Sequence, residues 1–69
     1  MYRQPVESSA VVSVGYDKKR RMLEVEVDGG AVYQYLDVPP REYFALVSAD
    51  SVGRYYNQQI KVNYEFLKV

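Results

Sequence analysis

Cysteine and histidine are both absent from this 69-residue chain. Without cysteine there is no disulfide framework and no thiolate metal site. Without histidine as well, the common zinc ligands, the common general base near neutral pH and every Cys/His or Ser/His nucleophile arrangement are missing. Most hydrolase mechanisms are thereby excluded. A charge bias is lacking too: nine Lys and Arg balance nine Asp and Glu, so no global field draws the chain toward phosphate or an anionic membrane. No apolar run approaches the roughly 18 residues of a membrane span, and Met1-Tyr2-Arg3-Gln4-Pro5 lacks the apolar core of a signal peptide. A cytoplasmic location away from membranes is the expectation.

A phosphate-cradling glycine loop is likewise missing, because Asp28-Gly29-Gly30 stands between two strand patterns with no following helix and Lys. Asp17, Asp28, Asp37 and Asp50 are scattered, and no spacing makes two of them an acid/base pair or a hard-metal site. The expectation is a protein that is not an enzyme and that uses neither cofactor nor metal.

What the chain does have is enough apolar content to fold, 48% hydrophobic against 26% charged residues. At this length one domain spans residues 1–69, and it buries only about 60% of the surface its unfolded form exposes. Residues 1–8 and 65–69 are expected to be flexible ends.

Ala10, Val12, Val14 and Tyr16 alternate with Val11, Ser13, Gly15 and Asp17, which is a strand signature. A second alternation sets Leu23, Val25 and Val27 against Met22, Glu24 and Glu26, the acidic pair marking the wet face. If Asp17-Lys18-Lys19-Arg20 form the loop between them, Tyr16 faces Arg21, Val14 faces Leu23 and Val12 faces Val25, and the apolar sets coincide. A second hairpin turns at Asp28-Gly29-Gly30 into a strand from Ala31 to Val38, with two competing registers. A three-residue loop sets Val25 opposite Tyr33 and Leu23 opposite Tyr35; a two-residue loop sets them opposite Val32 and Gln34. The first is favoured, since burying Gln34 without a partner costs about 1 to 3 kcal/mol, and it leaves Gln34 beside Glu24 in water.

Val38-Pro39-Pro40 ends the sheet, and Pro40 suits the first turn of a helix. Tyr43, Phe44, Leu46 and Val47 form the stripe of a short amphipathic helix that covers the apolar sheet face, with Glu42 and Ala45 outside. Asp50 or Ser51 caps a second helix carrying Val52, Tyr55, Tyr56, Gln59 and Ile60 at helical spacing, which Gly53 weakens by about 1 kcal/mol relative to Ala. The tail from Lys61 to Val69 reads either as a short edge strand or as an extended arm. The predicted fold is therefore α+β: a three-stranded antiparallel meander followed by one or two short helices packed on one face.

Ser-Val-Gly-Tyr-Asp at 13–17, Val-Tyr-Gln-Tyr-Leu-Asp-Val-Pro at 32–39 and Ala-Asp-Ser-Val-Gly-Arg-Tyr-Tyr-Asn at 49–57, followed by Ile60-Lys61 and Tyr64, together resemble the KTSC domain. That module is found at the C-terminus of some lysyl-tRNA synthetases and alone in bacterial proteins. The Tyr-x-Tyr of Tyr33 and Tyr35 is the hallmark of the resemblance, supported by Ser51, Gly53 and Asn57. The resemblance covers nearly the whole chain. It implies little about activity, the family being of unknown function, and its synthetase context suggests RNA as a ligand, an analogy of context rather than of mechanism.

Among the residues themselves, the eight tyrosines offer stacking surfaces for bases, and Lys and Arg offer phosphate contacts. Lys18, Lys19, Arg20 and Arg21 make the only basic cluster, with Tyr16 just before it; these five and Arg54 are the candidate nucleic-acid-binding residues. Glu24 and Glu26 on the exposed sheet face would repel a backbone laid across it. Tyr33, Tyr35, Ser51, Gly53 and Asn57 are expected to be structural, the two tyrosines as core rings with bonded hydroxyls. The functional expectation is a non-catalytic accessory binding domain whose ligand the sequence does not identify, with RNA or another nucleic acid as the sharpest candidate. The alternative is a protein-interaction module whose anchors come from Tyr2, Tyr43, Tyr56 or Phe66. A monomer is the working expectation.

Overall fold

Asp17 decides how the first hairpin closes. In the computed structural model, which describes residues 1–69, its carboxylate accepts the backbone N–H groups of Lys19 (3.0 Å) and Arg20 (3.1 Å), the side-chain turn that Asp forms readily. The loop is Lys18–Arg21, with Arg21 in the left-handed region (φ 53°), and Asp17 pairs with Met22 at the strand ends. This shifts the pairing by two residues from the expected register: Tyr16 lies opposite Leu23 and Val14 opposite Val25. A shift of two keeps every side chain on its face, so the apolar sets still coincide.

The first long strand departs from simple alternation further along. A bulge between Val11 and Ser13 inserts one residue and reverses the facing before it. Val11 is fully buried, whereas Val12, expected in the core, is 42% exposed.

The sheet has five antiparallel strands where three were expected: β1 (Gln4–Pro5), β2 (Val11–Asp17), β3 (Met22–Val27), β4 (Val32–Tyr35) and β5 (Phe66–Lys68), in spatial order β1-β2-β3-β4-β5. The expected meander is its centre. The three-residue loop register is the one adopted, with Val25 opposite Tyr33 and Leu23 opposite Tyr35. The two chain ends, expected to be flexible, supply the outer strands. Of the two readings of the tail, the edge strand is the one found, with Phe66 opposite Tyr35 and Lys68 opposite Tyr33.

Residues before β1 change the outer face of the sheet. The Arg3 guanidinium donates to Ser13 Oγ (3.0 Å) and Glu24 Oε2 (2.5 Å) and lies 3.8 Å from Glu26, while Gln34 donates to Glu24 Oε1 (2.8 Å). Gln34 is beside Glu24 as expected, but Glu24 is not in water: it is 6% exposed. Burial pushes its carboxyl up, yet the bonds from Gln34 and Arg3 and the Arg3 charge outweigh this and hold it below the usual value. The two glutamates thus share one guanidinium within the chain. Gly15 allows this crossing, since a Cβ there would meet the Tyr2 carbonyl oxygen at 2.4 Å.

The inner face carries the helices. α1 (Pro40–Ser48) begins at a proline in its first turn, as expected. Its buried residue is Leu46, and the rotation that faces Tyr43 inward turns Phe44 (62% exposed) and Val47 outward, against the expected stripe. The same rotation brings Glu42 under two phenols: Tyr64 donates to its Oε1 (2.8 Å) and Tyr55 to its Oε2. α2 (Val52–Tyr55) is capped by Ser51, whose hydroxyl accepts from Arg54 N (3.2 Å). It runs on into one turn of π-helix, Tyr56–Ile60, closed by Lys61 N to Tyr56 O (2.9 Å). Val11, Val14, Leu23, Val25, Val38, Leu46 and Ile60 fill the space between sheet and helices with Tyr35 and Tyr56. Neither helix is long and apolar enough to cross a membrane.

Candidate functional site

Because side chains two apart on a strand share a face, Tyr33 and Tyr35 both project to the helix side of β4. Tyr35 is buried there against Tyr56, which the start of the π-turn aims at the sheet: the rings meet edge to face at 5.9 Å, and the hydroxyls are 2.5 Å apart. Burial pushes both phenols up, reinforced at Tyr35 by the bond to Tyr56 and opposed at Tyr56 by the bond to Tyr35. The pair is uncharged at neutral pH, and each hydroxyl has its partner.

Above these two rings lies an open cleft of about 360 Å³, a size in the range of small-ligand sites. Pairing of β5 with β4 sets Phe66 at its edge, 51% exposed, with its ring perpendicular to Tyr33 at 5.4 Å and tilted against Tyr35 at 5.7 Å. Aromatic carbon thus makes the floor and one wall. Polar groups make the rim: Asn57 and Lys61 from the helix side, Asp28 from the β3–β4 turn and Ser9 from the segment before β2. The side chains of Asp28, Asn57 and Lys61 enter none of the hydrogen bonds or ion pairs of the fold, unlike Asp17 and Asn63, whose side chains hold backbone groups. A wide helical turn often marks a functional site, and here it carries Asn57 and leads into Lys61 at the cleft mouth.

The structure divides the residues singled out from the sequence into separate places. Tyr33, Tyr35 and Asn57 line the cleft. Ser51 is a helix cap, and Gly53 lets α2 approach the start of β2, where a Cβ would meet Ser8 Oγ at 2.9 Å and Ala10 Cβ at 3.2 Å. Lys18, Lys19, Arg20 and Arg21 come together as an exposed tip at the far end of β3 from Asp28, about 20 Å away by strand rise. Tyr16 is not free beside them. Its ring stacks on Tyr43 (5.1 Å, 12° between planes) and its hydroxyl donates to the Val38 carbonyl (2.5 Å). Arg54 is exposed on α2 over a shallower hollow with Asp50, Ser51 and Gln58.

Sequence reasoning did not assemble Asp28, Tyr56, Lys61 and Phe66 with the tyrosine pair. A partial signal existed in the favoured register, which leaves only two residue pairs between Tyr33 and the Asp28 turn, and in the four-residue spacing of Asn57 and Lys61. No group of three or more His, Cys, Asp or Glu side chains is placed to share a metal ion. Electrically the cleft is two-sided: an acceptor-only carboxylate on the turn side, a donor-bearing amide and ammonium on the helix side, and neutral aromatic surface between.

Residues 7–64 match the family model of the KTSC domain. The chain is 48% identical over 61 residues to an uncharacterized protein of Stutzerimonas stutzeri, covering 88% of this chain and 86% of that one. It is 37% identical over 60 residues to a lysine–tRNA ligase of Nostoc punctiforme, covering 87% of this chain but only 11% of the ligase. A crystal structure of a KTSC domain protein from Yersinia pestis superposes with a TM-score of 0.93 at 43% identity, covering 99% of this chain and 96% of that one.

Proposed function

From the premise that the chain belongs to the KTSC domain family, we propose that it is a non-catalytic accessory domain that binds single-stranded RNA by seating an unpaired base in the aromatic cleft. The observation that carries this reading is the cleft itself, where Tyr33 and Phe66 offer ring surface at the mouth of a site floored by Tyr35 and Tyr56. A base stacked on such a ring gains about 1 to 3 kcal/mol. Lys61 at the rim supplies a phosphate contact, and Lys68, opposite Tyr33 in the β4–β5 pairing, supplies a second on the same sheet face. The basic tip of Lys18, Lys19, Arg20 and Arg21, with Arg54, adds salt-dependent attraction for the backbone away from the base. A matching segment within a ligase that acts on tRNA supports RNA over DNA.

An amide NMR titration of the labelled domain with a short single-stranded RNA and with tRNA, at low and at physiological salt, tests the reading. Shifts at Tyr33, Asn57, Lys61 and Phe66, together with weaker and more salt-sensitive ones at Lys18 to Arg21, are expected. Absence of shifts at high RNA concentration would overturn it in favour of a protein-interaction module. That second reading is favoured by one observation, the exposed Phe44 ring on the outer face of α1, and a pull-down with a Phe44→Ala control would test it.

A further inference from the structure

The rim of the cleft is chemically asymmetric, and the asymmetry selects among bases. Asp28 begins the β3–β4 turn with its backbone N–H held by the Ala10 carbonyl (2.9 Å), so its position is fixed while its carboxylate has no partner. The two residues after it have no side chains, and nothing lies within 4 Å of where their Cβ atoms would be, so the approach to the carboxylate is open. An ionised carboxylate is acceptor-only. Whatever enters beside it must turn hydrogen-bond donors toward Asp28 and keep its negative groups on the other side, where Lys61 and Asn57 stand.

We infer that the cleft selects guanine, whose N1–H and N2 amine donate side by side to the two carboxylate oxygens of Asp28 while its sugar-phosphate lies toward Lys61. The inference rests on the RNA-binding reading above. Guanine alone among the four bases presents two adjacent donors on its Watson–Crick edge, the arrangement that a carboxylate takes up two-pronged. Adenine offers one amine next to the N1 lone pair, cytosine one amine next to N3, and uracil one N–H flanked by two carbonyl oxygens. In each of these a lone pair is forced against the carboxylate. A site whose polar group is satisfied by one ligand rejects the ligand that leaves it unpaired. The tyrosine hydroxyls of the floor do not compete for these contacts, since Tyr35 and Tyr56 already bond each other.

Fluorescence anisotropy with end-labelled pentamers, UUGUU against UUAUU, UUCUU and UUUUU, tests the selection on the intact chain. The guanine pentamer is expected to bind about tenfold more tightly, the margin of one good two-pronged contact. Replacing its guanine by inosine, which keeps N1–H and lacks the N2 amine, should lose most of that margin without any change to the protein. Asp28→Asn should abolish the guanine margin, weakening guanine and strengthening adenine, because the amide offers a donor to adenine N1 and an acceptor to its amine; this residue is exposed in a turn, and an unchanged melting temperature verifies the fold. Equal binding of all four pentamers with shifts at the cleft would overturn guanine selection and leave the RNA reading standing. A guanine preference that survives Asp28→Asn would overturn the role of Asp28. Binding of no pentamer would overturn both the RNA reading and this inference.

Discussion

At one end of β3 the chain turns through Asp17 to Arg21, and at the other through Asp28-Gly29-Gly30; the two turns use the same leading residue in opposite ways. At the tip, Asp17 is committed to the backbone of its own loop, Tyr16 is committed to Tyr43 and Val38, and four charged side chains stand in water. At the cleft, the turn is held by backbone bonds and by two glycines at φ 97° and 95°, so Asp28 is left with an unpaired carboxylate beside aromatic surface. The tip has the composition of a binding site and the chemistry of a well-solvated turn. The cleft has no conspicuous composition, yet its polar groups are the ones the fold does not use. Position and prior engagement, more than residue type, decide which side chains are available to a ligand.

The largest break in that contrast comes from removing the cleft floor. Tyr35→Ala deletes a buried ring and is expected to lower stability by about 3 to 5 kcal/mol in chemical denaturation, abolishing the site while amide shifts at the tip stay near those of the wild type. Tyr35→Phe is a finer probe, because it strands the buried Tyr56 hydroxyl and should cost about 1 to 3 kcal/mol, whereas the Tyr35→Phe/Tyr56→Phe double variant removes both partners and should recover most of the loss. A double variant no better than the single would mean that the two hydroxyls do not depend on each other for satisfaction.

The two aspartates give the next largest separation. Asp17→Ala removes two hydrogen bonds to the loop backbone and should cost about 1 kcal/mol, the worth of a comparable cap. Asp28→Ala removes no bond within the chain and should stay within about 0.5 kcal/mol of wild type. The expected order in RNA affinity is reversed: Asp28→Ala lowers it for guanine-containing strands and Asp17→Ala leaves it nearly unchanged. If both variants lost equal stability, the Asp28 carboxylate would be engaged in the fold and unavailable to a base.

The same distinction explains what the sequence made legible. The β3–β4 register followed from a local penalty, the burial of Gln34, and the tyrosine pair followed from strand spacing. The β2–β3 register missed by two residues because Asp17 carries a turn-forming side chain that periodicity does not weigh, and Val12 left the core because a bulge has no periodic signature. Glu24 read as a wet-face residue until Arg3, from a segment without pattern, covered it. The cleft draws Ser9, Asp28, the Asn57–Lys61 turn and Phe66 from four separate stretches of chain, and only tertiary packing brings them together.

The smallest expected effect concerns how each turn takes its positive φ. Gly29 and Gly30 adopt it freely, but Arg21 sits at φ 53°, where a residue with a Cβ pays about 1 to 2 kcal/mol relative to its right-handed conformation. Arg21→Gly relieves that strain in the folded state and loosens the unfolded chain, so the net result should be a gain of about 0.5 kcal/mol, read as a small rise in the denaturation midpoint. The variant also removes one of the four tip charges. If the tip only attracts backbone phosphate, RNA affinity should fall slightly at low salt, the salt slope should drop by about one contact, and the guanine preference should be untouched. Loss of that preference on changing Arg21, some 20 Å from Asp28 by strand rise, would mean that the tip takes part in choosing the base and that the two turns act as one site.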